Sequence, residues 1–206
     1  VDPLSSRTRK PYRDLLFPAL SLGLFRLWGL DPLWFALGTL LFILAYLRFA
    51  LDWEPLVPLG IALVVTLFYL TFFRRYYHYG SFGGELFGYP LYPLLAWPSG
   101  LLLLGYWTDR IARSRGLTAP AARIALGYAI FAPGLIGVEY VGYHYCGIRL
   151  ASHYPPLWGI DCMHMPLTMK ITYFFNGLAF LTLRTGLEEL RGLLGHPAKR
   201  PSPEDA

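Results

Sequence analysis

The sequence predicts an all-α fold: a polytopic helical membrane protein with about six transmembrane helices and an internal helical-hairpin repeat. Three observations predict it. The 206 residues are 55% hydrophobic and 15% charged, against about 25% charged in an ordinary soluble domain. Several apolar runs approach the ~20 residues that a helix needs to cross a bilayer. The basic residues behind the net charge of +5 sit in short clusters beside those runs, as cytoplasmic loops do. That placement argues against a nucleic-acid partner, and mean hydropathy is positive at +0.41.

Residues 1–14 carry Arg7, Arg9, Lys10 and Arg13 and read as a cytoplasmic basic tail. The transmembrane domain follows, from 15 to 183. Leu15 to Leu30 is the first apolar run, interrupted by Pro18 and Arg26. No cleavage site follows it, so it is expected to stay in the chain. Pro32 to Leu51 is the second span, with Arg48 placed to snorkel at its end. The polar LDWE (51–54) breaks the pattern, and Pro55 to Phe73 is the third span, ended by Arg74 and Arg75. A Gly- and Tyr-rich loop fills 74–89.

Leu86 to Trp107 is the fourth span, interrupted by Pro90, Pro93 and Pro98. Such helices hold in membranes when neighbours satisfy the freed carbonyls. Thr108 to Arg123, with Arg110, Arg113, Arg115 and Arg123, reads as a cytoplasmic loop. Ile124 to Tyr145 is the fifth span and carries Glu139 near its outer end. The loop 146–165 folds back, and Pro166 to Leu183 is the sixth span, with Lys170 and Asn176 inside it. Residues 184–206 form a cytoplasmic tail. Both termini are then cytoplasmic, in a bacterial or archaeal plasma membrane, and the 74–89 and 146–165 loops share the opposite side. Arg74 and Arg75 are exceptions to the charge rule.

Those two loops look alike. His78-Tyr79 is followed by Glu85 and Pro90-Leu91, and His153-Tyr154 by Asp161 and Pro166-Leu167. The acid precedes the proline by five residues in both, and an aromatic, Trp97 or Tyr173, lies seven residues after it. A repeated hairpin of this kind places a polar loop from each copy at one cavity.

Chemistry concentrates between Glu139 and Asn176. The stretch holds His144, His153, His164, Cys146, Cys162, Glu139 and Asp161 between apolar runs. Polar groups in apolar surroundings are costly unless paired or used. Three readings of the stretch fit. A carboxyl in an apolar pocket keeps its proton and can donate it to an alkene or oxygen. Glu139, Asp161 and Glu85 are the candidate acids, and His153 and His164 would orient them or take the proton back. An aromatic wall including Tyr140, Tyr143, Trp158 and Tyr173 would steady a developing cation. His78, Tyr143, His144, Trp158, Tyr173 and Asn176 are the candidate substrate-binding residues. The alternative role for these acids is to pair with Arg149 and Lys170 and lock the loop.

The second reading is a transition metal such as copper, zinc or iron on His144, Cys146, His153, Cys162 and His164, though no established zinc spacing is present. The third is a disulfide between Cys146 and Cys162 in an oxidising compartment, against two free thiols. Nucleophilic catalysis fits less well. Gly80-Ser81-Phe82-Gly83 resembles the serine loop of intramembrane proteases, but the sixth span offers no histidine to serve it.

The segment YHYGSFGGELFGYPLYPLLAW (77–97) resembles a motif of carotenoid-biosynthesis membrane proteins, the carotenoid hydratases and small heterodimeric lycopene cyclases. The motif runs from a Tyr/Gly-rich loop through Gly88-Tyr89-Pro90-Leu91 into a span bearing Pro93-Leu94 and Trp97. LWGIDCMHMPL (157–167) resembles the cyclases' acidic loop in layout, with Thr168 and Met169 where paired acids would stand. Gly84-Glu85-Leu86 with Pro90-Leu91-Tyr92 also resembles sterol isomerases. The resemblance implies six or seven helices, a long isoprenoid substrate, and hydration, cyclisation or isomerisation started by a proton without a redox cofactor.

The expected function is therefore an integral membrane enzyme, a lyase or isomerase, acting on an isoprenoid or other lipid by general acid catalysis. The alternatives are a metal- or cofactor-binding membrane subunit, and a non-enzymatic subunit or transporter. The expected partners are the bilayer and an apolar substrate; homo- and hetero-oligomers both fit.

Overall fold

A computed structural model describes residues 32–77, 84–145, 147–148 and 154–195. Within them the chain is all-α apart from one two-residue hairpin. The elements are α1 (Pro32–Ala45), α2 (Leu56–Phe73), β1 (Glu85–Leu86), β2 (Tyr89–Pro90), α3 (Leu91–Ser114), α4 (Pro120–His144) and α5 (Leu167–Gly195). The predicted first span, the N-terminal tail and the end of the C-terminal tail lie outside the described residues, as do His78, Ser81, Cys146, Arg149 and His153.

The second and third predicted spans match α1 and α2 closely. A π-helical turn, Tyr46–Ala50, carries α1 on towards the predicted end at Leu51, and a 3-10 turn, Arg74–Tyr76, closes α2. Between them the LDWE break turns through Asp52 at φ +50°, and the Trp53 amide donates to the Leu47 carbonyl at 2.8 Å.

The fourth and sixth predicted spans need correction at their C-terminal ends. Hydropathy ends the fourth at Trp107, yet α3 continues through Asp109 and Arg110 to Ser114. Its stop is a glycine cap: Gly116 sits at φ +65°, its amide donates to the Arg113 carbonyl, and the Leu117 amide donates to the Ala112 carbonyl. This Schellman pairing satisfies the last helical carbonyls. The loop predicted over 108–123 therefore shrinks to 115–119, and Pro120 begins α4 at a position where its missing N–H costs nothing. The tail predicted from 184 begins inside α5, which runs to Gly195. In both helices the first charge marks the end of the apolar run but not of the helix: Asp109 and Arg184 are buried against each other.

Helix α3 is the centre of the bundle. It packs on α1, α2 and α4, while α5 packs on α4 and α2. Small residues set the closest approaches. A Cβ at Gly177 of α5 would collide with the Phe131 ring of α4. One at Gly127 would come within 2.8 Å of Leu181 and Thr108. Gly127 and Phe131 are the buried residues of α4. Small residues at helix crossings are a habit of membrane bundles, where close van der Waals contact replaces the hydrophobic effect.

The outward faces are apolar. Leu56, Val64, Phe68 and Phe72 are exposed along α2, and Val138 on α4. Two helices, Leu56–Tyr76 (including the 3-10 turn) and Pro120–His144, are long and apolar enough to cross a membrane. The α1–α2 turn, the α3–α4 turn and the end of α5 lie at one end of the bundle. The β-hairpin and the 154–166 loop lie at the other.

Candidate functional site

At the loop end, Asp161 is held by two histidines. His164 Nε2 lies 2.8 Å from Asp161 Oδ1, and His144 Nε2 lies 3.4 Å from Oδ2. His144 Nε2 also donates to the Asp161 backbone carbonyl at 2.8 Å. His164 Nδ1 donates to the Tyr154 carbonyl at 3.0 Å. A carbonyl oxygen only accepts, so Nδ1 carries a hydrogen. The other ring nitrogen faces a carboxyl oxygen. Aromatic rings fix the imidazoles: Tyr143 stacks on His164 at 4.8 Å, and Tyr140 lies 4.3 Å from His144. Asp161 keeps 58% of its side chain exposed.

Behind this pair is a core of aromatic and sulphur side chains. It gathers Tyr69, Tyr77, Tyr173, Cys162 and all three methionines, Met163, Met165 and Met169. Tyr77 Oη donates to Tyr173 Oη at 2.8 Å, and the side chains of Tyr69 and Trp97 face the same hydroxyl. Trp97 meets Tyr173 edge-on at 4.8 Å. Burial pushes the Tyr77 phenol above the ordinary tyrosine range, and the Glu139 carboxylate adds to that. Burial likewise pushes the Cys162 thiol up, helped by Glu139 and Asp161 and opposed by Lys170. Among the described residues no cation pairs with Glu139. Asn176, one turn beyond Tyr173, is buried and its Nδ2 has no acceptor among the described residues.

The other predicted residues fall differently. Glu85 stands exposed on β1, opposite Pro90. Lys170 was read as a counter-ion to a carboxylate; it donates instead to the Pro155 and Pro156 carbonyls, at 2.6 and 3.2 Å. Cys162 is a buried free thiol. Among the described residues no group of three or more His, Cys, Asp or Glu is placed to hold a metal ion; Cys146 and His153 of the alternative ligand set lie outside them.

Two features escaped the sequence reading. The first is a matched pair of turns. Leu86-Phe87-Gly88-Tyr89 and Leu157-Trp158-Gly159-Ile160 each place an aromatic and a glycine at positive φ, +51° and +75° in one, +47° and +86° in the other. The flanking residues pair in both, Leu86 with Tyr89 and Leu157 with Ile160. These are hairpin turns of the primed kind, and they leave Phe87 90% and Trp158 82% exposed. The repeated Leu-aromatic-Gly was visible in the sequence as LFG and LWG.

The second is a buried charge network at the opposite end. Asp109 accepts from Arg184, from Arg123 at 3.2 Å and from Trp53 Nε1 at 3.0 Å. Glu188 accepts from Arg123 at 2.6 Å and pairs with Arg184 at 2.8 Å. Arg184 also donates to the Gly105 carbonyl at 3.0 Å. Gly105 has no side chain because a Cβ there would lie 2.9 Å from the guanidinium.

Comparison with protein-family models, curated proteins and solved structures finds no match to this chain.

Proposed function

We propose that the chain is a six-span membrane protein, with both termini cytoplasmic, that performs general acid–base chemistry on an isoprenoid or similar lipid. The observation that carries this reading is the Asp161 carboxyl held by His164 and His144 beside the aromatic and sulphur core. Acid catalysis on an alkene or ether needs a proton donor in apolar surroundings, a group that takes the proton back, and electron-rich walls for the cation between. Glu139 supplies the first and the Asp161–His164 pair the second. Tyr69, Tyr77, Trp97 and Tyr173 supply the third. The apolar exposed helix faces and the two helices long enough to span support the membrane setting.

The test is hydrogen exchange into substrate. The full chain, reconstituted in liposomes, is incubated in deuterated water with lycopene, squalene and geranylgeraniol, and the lipids are analysed by mass spectrometry. Protonation of an alkene leaves deuterium on carbon. Glu139→Gln and Asp161→Asn should each lower incorporation at least a hundredfold, the scale of a lost general acid. Incorporation equal to that of protein-free liposomes with all three lipids would sink the proposal.

A further inference from the structure

A second cavity lies beside this site, and Lys170 reaches it. The cavity is about 500 Å³ and is formed between the 154–166 loop and the first turns of α5. Its walls are Tyr154, Pro156, Trp158, Leu167, Ile171 and Phe174. Trp158 stacks on Phe174 at 6.3 Å. That volume lies within the roughly 300–1,000 Å³ of small-molecule sites. The lining is mostly apolar, and Lys170 is its one ionic side chain.

Lys170 is 6% exposed. Its ammonium has three N–H donors. Two go to the Pro155 and Pro156 carbonyls. No carboxylate lies within ion-pair distance among the described residues, so the third donor and the net charge are left uncommitted. A buried cation without a partner is expensive. An anion entering the cavity would complete it.

The way in is also visible. Leu167 and Ile171 line the cavity and are themselves exposed, and Phe175 continues their stripe one turn further along α5. Residues four apart share a helix face. The cavity therefore opens along an apolar face, from which a chain-like molecule could slide in sideways.

We infer that this cavity binds a single-chain amphiphile with an anionic head, its chain against Trp158 and Phe174 and its head on the Lys170 ammonium. The inference rests on the membrane reading above but not on the acid chemistry. It names the class of lipid that the outer loop receives. Carboxylate and phosphate heads share the required charge, and the experiment separates them.

Purified full-length protein in non-ionic detergent is titrated with oleate, oleyl phosphate, methyl oleate and oleylamine. At least one of the two anions should bind ten times more tightly than oleylamine and methyl oleate, and the order of the two anions identifies the head. Dibromostearate should quench tryptophan emission, and Trp158→Phe, which preserves the stack on Phe174, should remove much of that quenching. Lys170→Met should erase the preference for anions while the brominated chain still quenches. Should Lys170→Met fail to fold, the headgroup series on the native chain still decides. Equal binding of all four heads overturns the inference, and so does quenching unchanged by Trp158→Phe. Extraction of the chain from membranes by alkaline carbonate would separately refute the membrane setting, whatever the binding series gives.

Discussion

Asp109→Asn isolates the charge at the centre of the buried network. The substitution keeps the shape, and the amide oxygen can still accept from Trp53. What changes is the balance of two carboxylates against two guanidiniums. Arg184 is left with Glu188 alone, and Glu188 is 38% exposed. The side chains of Asp109 and Arg184 are 11% and 7% exposed, so solvent screens their pair little. Removing one partner of a buried pair costs about 3–5 kcal/mol. At roughly 2–4 °C per kcal/mol for a chain of this size, the midpoint should fall by roughly 6–20 °C. Thermal unfolding in detergent, followed by tryptophan emission, measures it. The double variant Asp109→Asn/Arg184→Met removes both charges and keeps an apolar stem, so it should recover a large part of the loss. A fall of less than about 3 °C for the single variant, or a double variant less stable than the single, would refute the argument. The first outcome would mean that the pair contributes little once its desolvation is counted; the second, that Arg184 acts mainly through Glu188 and the Gly105 carbonyl.

Three further outcomes follow. Gly177→Ala drives a methyl into the Phe131 ring and should cost about 1–3 kcal/mol; Phe131→Leu in the same chain should return part of it, read by the same unfolding assay. Phe87→Asn should stabilise the fold by about 1 kcal/mol, because a left-handed backbone costs most residues roughly 1–2 kcal/mol and asparagine tolerates it; an unchanged or lower midpoint would show that the exposed ring contributes contacts. Cys162 should resist maleimide at pH 7 in the native protein and react after denaturation in SDS. Burial and two nearby carboxylates raise its pKa, so the unreactive thiol persists to higher pH than in a free cysteine; labelling at the denatured rate would contradict that burial.

The apolar runs made the helices legible, because ~20 apolar residues have few other uses. The C-terminal ends of α3 and α5 were not legible. Hydropathy treats Asp109 and Arg184 as separate costs, although 75 residues apart in the chain they cancel in space. The candidate site was readable as a cluster of residue types between Glu139 and Asn176. Its arrangement was not. Which acid a histidine meets depends on how the 154–166 loop folds back, and that is fixed by backbone bonds such as Leu157 N–H to the Cys162 carbonyl at 3.1 Å. The repeat was found by matching acids to prolines. The closer correspondence is the Leu-aromatic-Gly turn: the repeated tripeptide is legible, but an aromatic is an unusual choice for a left-handed position, so it does not announce a turn.

Three of the contacts of helix α4 are spread along its length. Arg123 at its start joins the charge network, Phe131 sits in the gap left by Gly177, and His144 at its end meets Asp161. At ~1.5 Å per residue, Phe131 is about 12 Å from the first of these and about 20 Å from the last. A rod pivoting at Phe131 magnifies movement: a small tilt at the charge network displaces His144 by about 1.6 times as much, in the opposite direction. Loosening Arg123 from Glu188 at one end of the bundle would therefore be felt as a change of distance between His144 and Asp161 at the other.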